Sequence, residues 1–117
     1  MSTATLTQNS SLKIGSVTVN SCVLQSPLSG VTDQVFRRLV RRYAPESMLY
    51  TEMVSAKEIH HLKELPQVMN IAPDETPISI QLFDCRPDFM GEAARKAVAE
   101  GAQTIDINMG CPVNKIT

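Results

Sequence analysis

Residues 104–112 read Thr-Ile-Asp-Ile-Asn-Met-Gly-Cys-Pro, an alternating apolar strand that runs into a tight turn carrying a cysteine. Parallel α/β sheets place their reactive groups just beyond the carboxyl ends of strands. Cys111 therefore lies where a thiol could act as a general acid or a nucleophile, although a cysteine can also be a small buried apolar side chain. An unperturbed thiol has a pKa of about 8.5 and is mainly protonated near neutral pH.

The chain upstream of this strand repeats a strand–helix unit. Predicted strands begin near residues 22, 47, 77 and 104, and a separation of roughly 25–30 residues is the length of one βα unit. Alternation around a glycine over residues 12–20 predicts a short hairpin before them. Regular βα repetition indicates a parallel sheet, which is either doubly wound or closed into a barrel.

The first predicted helix begins after an N-cap at Thr32 or Asp33 and ends before Pro45. Its apolar residues have helical spacing and predict the buried face: Val35, Phe36, Leu39, Val40 and Tyr43. Its arginines predict a solvated face on the other side: Arg37, Arg38, Arg41 and Arg42.

The later helices carry start and stop signals. Ser55 and Glu58 match a capping box, Pro87 suits a first helical residue, and Gly101 suits a C-terminal cap. The segment Ile78–Phe83 alternates and predicts the third strand. The helix after it has a predicted buried stripe of Phe89, Met90, Ala93, Ala97 and Val98.

Composition is that of an ordinary globular domain, with 43% apolar and 20% charged residues and a net charge of -1 in 117 residues. Nothing in the overall charge indicates nucleic-acid or membrane binding, although a local basic patch can still bind RNA. No segment approaches the roughly 20 apolar residues that span a bilayer, so we expect no membrane contact. Residues 1–11 lack a secretion signal, and we expect a disordered N-terminus ahead of a domain over residues 12–117.

The cysteines predict neither a disulfide framework nor a metal site. Cys22, Cys85 and Cys111 are odd in number and widely spaced, and His60 and His61 are distant from them in sequence. A reducing cytoplasm fits this usage. We expect Cys22 to be a buried apolar side chain within a strand, Cys85 to be an inert loop residue, and the histidines to lie on a helix surface.

The predicted strand ends bring a set of mainly neutral hydrogen-bonding groups to one edge: residues 26–29, Glu52, Gln81, Asn108 and Cys111. Such groups can bind a heteroaromatic ring without charging it. Each also has a plain structural alternative, because Gln81 and Asn108 can fix nearby backbone and Glu52 can pair with a lysine or cap a helix. Glycine-rich phosphate-binding motifs do not occur.

Four segments, in order, resemble the tRNA-dihydrouridine synthases. They are residues 26–33 followed by Phe36-Arg37, residues 51–56, residues 81–83 and residues 106–113. Each segment alone is weak, but all four with the Asn-Met-Gly-Cys-Pro turn are specific, and the resemblance covers residues 12–117.

The resemblance implies the N-terminal half of a (β/α)₈ TIM barrel, with about four βα units after the hairpin, and an FMN above the strand ends. In that family NADPH reduces the flavin, which passes hydride to C6 of a specific uridine in tRNA while a cysteine gives a proton to C5. Cys111 matches that proton donor, and Asn108 matches the residue that holds the base. The flavin contacts match Pro27, Leu28, Ser29 and Gln81.

Some positions differ from the family pattern: Ser26 and Leu28 replace the commoner alanine and methionine, and Asn114 replaces a frequent lysine. The strands that grip the FMN phosphate and the helical tRNA-binding domain do not match any part of these residues. We expect a monomeric, cytoplasmic enzyme at full length, and we expect the 117 residues alone to be inactive and to bind FMN poorly. The alternatives are another FMN barrel that reduces small pyrimidines or enones, and a non-catalytic truncated fragment.

Overall fold

The computed structural model describes residues 11–110. Two short antiparallel strands come first, β1 (Leu12–Ile14) and β2 (Val17–Val19). Gly15 lies between them with φ of 58°, a left-handed conformation that glycine adopts without steric cost. The predicted hairpin is confirmed. Residues 1–10 of the predicted disordered terminus, and Cys111 with the six residues after it, lie outside the described residues.

A parallel sheet follows, made of β3 (Leu49–Tyr50), β4 (Val54–Ser55), β5 (Ile78–Phe83) and β6 (Thr104–Ile107). The central strand is β5, which pairs in parallel with the other three. Both β6 and the β3–β4 pair contact overlapping residues of β5, so β6 lies on one edge of β5 and β3 with β4 on the other. The chain is therefore a mixed α/β fold with a parallel sheet, as the βα repetition predicted.

The strand predicted to begin near residue 47 forms only the two-residue β3, because an irregularity interrupts this edge of the sheet. Tyr50 is opposite Ser79 and Val54 is opposite Leu82, so three residues of this edge face two residues of β5. This is the count of a β-bulge, which redirects side chains and is frequent beside functional sites. The Thr51 hydroxyl accepts a hydrogen bond from the Gln81 N–H at 3.1 Å, in place of a backbone carbonyl.

The strand expected to begin near residue 22 is wrong in extent. It is reduced to one parallel bridge between Leu24 and Met48, with the Gln25 N–H donating to the Met48 carbonyl at 3.1 Å. Val23 is 66% exposed and Cys22 is exposed, so Cys22 is not the buried apolar side chain that we expected. Within residues 11–110 this segment has a strand partner on one side only, and the consecutive residues Cys22, Val23 and Leu24 are all exposed.

The helix α1 (Gln34–Tyr43) has the predicted ends. Asp33 is its N-cap, and the Asp33 carboxylate accepts a hydrogen bond from the Phe36 N–H at 2.8 Å. Such a cap satisfies one of the backbone donors that a helix start leaves free. Ala44 is the C-cap, immediately before Pro45.

The predicted burial of α1 is wrong in part, because Arg37 packs inward, while Arg38 and Arg42 are exposed as predicted. Arg37 is 1% exposed, whereas Val35 is 78%, Leu39 is 51% and Tyr43 is 85% exposed. The Arg37 guanidinium can be enclosed because it is paired, with its Nε 2.6 Å from Oε1 of the equally buried Glu75. A buried charge is tolerated when it is paired and hydrogen-bonded.

Arg41 is the second inward-facing arginine of α1, which also differs from the predicted solvated face. Its two terminal nitrogens donate to five carbonyl oxygens at 2.6–3.2 Å, those of Ala44, Pro45, Ser47, Glu75 and Pro77. Burial lowers the pKa of Arg41, while Asp74 and Glu75 act in the opposite direction. This side chain therefore ties the end of α1 to the segments that lead into β3 and β5.

The helices α2 (Ala56–His61) and α3 (Pro87–Ala99) cover one face of the sheet. Ser55 caps α2, Pro87 opens α3, and Gly101 follows α3 with φ of 109°, all as predicted. Val98, however, is 58% exposed, so it lies outside the predicted buried stripe. The buried core between sheet and helices consists of Val54, Ala56, Ile59, Met69, Ile80, Leu82, Phe89, Ala93, Ala97 and Ala102.

On the outer side of α2 and α3, His60 stacks on Phe89 with 4.4 Å between ring centroids. Both histidines are exposed, as expected. The His60 Nδ1 lies 2.7 Å from one oxygen of Glu92, and the Lys96 ammonium lies 2.7 Å from the other. Hydrogen bonds from Lys96 and His60 lower the pKa of Glu92 to about 2. Two short 3₁₀ turns, Gln67–Met69 and Pro73–Glu75, connect α2 to β5.

Candidate active site at the carboxyl ends of the strands

The parallel pairing brings the carboxyl ends of the strands to one edge of the sheet. Gln81 lies near the end of β5, Asn108 directly follows β6, and the bulge with Glu52 follows β3. The parallel bridge of Leu24 to Met48 brings the loop that begins at Pro27 to the same edge. The structure thus places the predicted site residues within 11–110 at one edge of the sheet, although they are up to 81 positions apart in the sequence.

The loop of residues 27–30, which we call the rim loop, is held by hydrogen bonds to the side chains of Thr32 and Glu52. Thr32 is fully buried, and its hydroxyl both donates to the Leu28 carbonyl and accepts from the Leu28 N–H, each at 3.1 Å. The Glu52 carboxylate accepts from the Gly30 N–H at 2.5 Å. Leu28 is 47% exposed and Ser29 is exposed, so the rim loop has surface that is open to a ligand.

Among residues 11–110, Glu52 neither pairs with a lysine nor caps a helix. The bulge after β3 directs its carboxylate toward the rim loop. A backbone N–H bonded to a carboxylate is a charge-assisted hydrogen bond, stronger than a neutral one. Glu52 consequently fixes the position of Gly30, whose φ of 74° already requires a glycine.

Gln81 lies on the face of the sheet opposite the helices. Its neighbours Ile80 and Leu82 are buried in the core against α3, and successive strand residues point to opposite faces. Gln81 is paired in register with Asp106, and its Nε2 donates to Asp106 Oδ2 at 2.5 Å. Burial, followed by the nearby Asp106 charge, raises the pKa of Tyr50 on the neighbouring strand β3.

Asn108 shapes the turn that leads toward Cys111. Its backbone N–H extends the sheet by donating to the Leu82 carbonyl at 2.9 Å, and its side-chain oxygen accepts from the Gly110 N–H at 3.0 Å. Its amide nitrogen lies 3.6 Å from the Met53 sulfur. The loop-fixing role considered from sequence is present, and the predicted role in holding a base remains a prediction. Cys111 itself lies outside the described residues.

The roles of three residues were missed by sequence reasoning. Asp106 was not singled out, and Thr32 was considered only as a helix cap. Strand alternation could have identified Asp106 from the sequence. It lies between the apolar residues Ile105 and Ile107 and therefore shares a face of the strand with Asn108. Arg37 was assigned to solvent, yet its Nη1 donates to the Thr32 carbonyl at 2.9 Å and so supports the rim loop from within.

A recess of about 390 Å³ opens beside the rim. Of the predicted flavin and base contacts that the structure describes, none lines it. Six of its eight lining residues are polar or charged; the eight are Asp33, Gln34, Val35, Arg37, Glu52, Gln67, Val68 and Asn70. Within residues 11–110 there is no group of three or more His, Cys, Asp or Glu side chains that could hold a metal ion. No helix in this described range combines the length and apolar character needed to cross a membrane.

Comparison with known proteins follows the same segments. The dihydrouridine synthase (Dus) family profile matches residues 24–117. The chain is 81% identical over 106 residues to a protein of Synechocystis sp. named probable tRNA-dihydrouridine synthase 1, covering 91% of this chain and 30% of that protein. It is 38% identical over 106 residues to tRNA-dihydrouridine synthase B of Serratia marcescens, covering 90% of this chain and 31% of that protein.

A protein of Rickettsia conorii named probable tRNA-dihydrouridine synthase is 36% identical over 107 residues, again with 90% of this chain and 32% of the relative covered. The chain thus spans about a third of the length of these curated relatives. The family profile and the relatives match the segments that form the sheet edge and rim described above. This chain belongs to the dihydrouridine synthase family.

Proposed function

We propose that this chain forms the N-terminal half of an FMN-binding (β/α)₈ barrel and acts as part of an FMN-dependent, NADPH-driven tRNA-dihydrouridine synthase. The observation that carries the proposal is the convergence of the rim loop, Gln81 and Asn108 on one sheet edge, in a member of this family. The relatives' names specify tRNA as the substrate of those proteins. We assign the FMN phosphate grip and the tRNA-binding helical domain to the remaining length of such relatives.

The described residues fit a flavin ring in their chemistry. A flavin ring is uncharged along its pyrimidine edge and needs neutral donors and acceptors together with a close approach of backbone. The rim loop supplies the exposed surface of Leu28 and Ser29 beside Pro27, with the Leu28 backbone already bonded to Thr32, and Gln81 supplies an amide. No charged side chain among these four would compete with a neutral ring.

When bound, FMN supplies the hydride for C6 of the target uracil, with NADPH as the source of electrons. A carbon–carbon double bond that accepts hydride at one carbon must gain a proton at the other. The role of this chain is therefore to supply the proton donor. We assign that proton to the Cys111 thiol, delivered to C5, and assign Asn108 to hold the base. The Asn108 contact to the Gly110 N–H supports this, since it fixes the backbone directly before Cys111. We place the enzyme in the cytoplasm as a monomer.

The test uses a chimera in which this chain replaces the matching segment of the Synechocystis relative, which is 81% identical. Three quantities are measured: dihydrouridine in tRNA by mass spectrometry, bound FMN, and reduction of the flavin by NADPH. We expect the chimera to bind FMN and to form dihydrouridine. We expect Cys111→Ala to remove dihydrouridine formation while flavin reduction continues, and the exposed Cys85→Ala to change neither.

Equal loss of flavin reduction and dihydrouridine formation in Cys111→Ala would make Cys111 a structural residue. Reduction of free uracil by the chimera in preference to tRNA would favour a reductase of small pyrimidines. An inactive chimera without FMN, beside an active Synechocystis parent, would contradict the proposal as a whole.

A further inference from the structure

The contact between Gln81 and Asp106 fixes the direction of an amide at the sheet edge. The parallel register places the two residues side by side on β5 and β6, and Gln81 Nε2 lies 2.5 Å from Asp106 Oδ2. Both side chains are half-buried, on the face that the helices do not cover. A hydrogen bond to a carboxylate is charge-assisted and is stronger in such a partly desolvated position.

The two ends of a glutamine amide are chemically opposite, and a carboxylate distinguishes them. An ionised carboxylate only accepts hydrogen bonds, so the NH₂ end of Gln81 must face Asp106 and the carbonyl oxygen must face away. Rotating the amide by half a turn would bring two acceptor oxygens together and would lose the bond. Among residues 11–110 no donor contacts the Gln81 side-chain carbonyl oxygen, so this acceptor is available to a ligand.

We propose that Asp106 is a positioning residue that holds Gln81 as a hydrogen-bond acceptor and thereby selects a ligand ring with an imide N–H. This rests on the proposed function, because the flavin pyrimidine ring and the uracil base each present such an N–H between two carbonyl groups. Uracil with a free N3–H would be accepted, and a ring methylated at this nitrogen would be rejected. Asp106 touches neither ring and acts only through Gln81.

The first test does not require a cofactor. In the chimera labelled with ¹⁵N-glutamine, the Gln81 side-chain amide is assigned by its loss in Gln81→Leu. A proton donated to a carboxylate resonates downfield and exchanges slowly, and we expect this signature in the unliganded protein. We expect Asp106→Asn to abolish the signature and Thr104→Val, on the same face of β6, to preserve it. An ordinary, unshifted Gln81 amide in the parent would overturn the proposal.

The second test measures whether Asp106 acts through Gln81. FMN dissociation constants, the flavin midpoint potential and KM for tRNA are compared for Asp106→Asn, Gln81→Leu and the double variant. Loss of one charge-assisted hydrogen bond predicts about five- to thirtyfold weaker binding for Asp106→Asn. In the Gln81→Leu background the same change should add nothing, because the side chain through which it acts is gone.

These three measurements distinguish which ring, the flavin or the uracil, donates its imide N–H to Gln81. A raised FMN dissociation constant together with a shifted flavin midpoint potential assigns Gln81 to the flavin. A raised KM for tRNA with unchanged FMN binding assigns Gln81 to the uracil. Asp106→Asn effects that persist undiminished in the Gln81→Leu background would overturn the proposal, as would the absence of any effect on all three quantities. If the parent chimera bound no FMN, the proposed function would fail while the amide signature would still decide this inference.

Discussion

Arg37 and Glu75 form an ion pair from which water is excluded, with side chains 1% and 0% exposed and Nε to Oε1 at 2.6 Å. The second Glu75 oxygen accepts from the Ala72 N–H at 2.6 Å, and Arg37 Nη1 donates to the Thr32 carbonyl. The pair therefore connects α1, the segment before β5 and the residue beneath the rim loop.

Breaking this pair should strongly destabilise the protein. Arg37→Met leaves the Glu75 charge buried without its partner, which costs about 3–5 kcal/mol of unfolding free energy. Arg38→Met is the matched control, because Arg38 pairs with Asp74 at 3.0 Å with both side chains more than half exposed, and such surface pairs contribute about 0–1 kcal/mol. Urea denaturation of the chimera measures both. Similar losses for the two variants would mean that burial of the pair has no consequence.

Removing the Thr32 hydroxyl should make the rim loop less well ordered without creating a cavity in the core. Thr32→Val keeps the shape of the side chain but loses its two hydrogen bonds to Leu28. If the rim loop holds FMN as proposed, the FMN dissociation constant should rise about fivefold or more, corresponding to roughly 1 kcal/mol. Fluorescence titration of the chimera measures this.

Two further variants serve as the rescue and the control for the Thr32→Val measurement. Thr32→Ser, which restores the hydroxyl, should recover most of the affinity, and Thr18→Val, at an exposed strand position, should have no effect. Unchanged FMN binding in Thr32→Val would show that the rim loop does not depend on this hydroxyl.

Acid should weaken the contact between α2 and α3 through Glu92. Its folded-state pKa is about 2, depressed by hydrogen bonds from Lys96 and His60. Because the folded pKa lies below the unfolded value of about 4.5, the contribution is present above pH 4.5 and is lost as pH falls toward 2. Glu92→Gln should lower the Tm at pH 6, and the difference from the parent should disappear through this window. Thermal melts at a series of pH values test this, and a Tm difference that is constant with pH would contradict it.

The outer face of α1, formed by Val35, Leu39 and Tyr43, should promote self-association of the 117-residue chain. These side chains are 51–85% exposed and adjacent at helical spacing, and contiguous exposed apolar surface favours association. Leu39→Glu with Tyr43→Glu should reduce the apparent size in light scattering. The control, Ser16→Glu with Thr18→Glu, adds the same charge at exposed polar positions and should not. Equal behaviour of the two pairs would exclude this face as the cause.

Local signals were sufficient for most elements. The caps at Asp33 and Ser55, the opening Pro87, the closing Gly101 and the strand Ile78–Phe83 were all predictable. Each depends on residues within a few positions of one another, through backbone hydrogen bonds and strand alternation. The convergence of Gln81, Asn108 and the rim loop was also predictable, because parallel strands end at the same edge.

What the sequence by itself determined was the order of βα units, the polar residues at their ends and the family motifs. Only the tertiary structure decided which face of α1 is buried, because Arg37 can enter the interior only where the distant Glu75 neutralises it. It likewise decided the bulge that turns Glu52 to the rim loop and the register that places Asp106 against Gln81. These outcomes depend on partners 22–38 residues away, and local patterns carry no information about which charges and strands will meet.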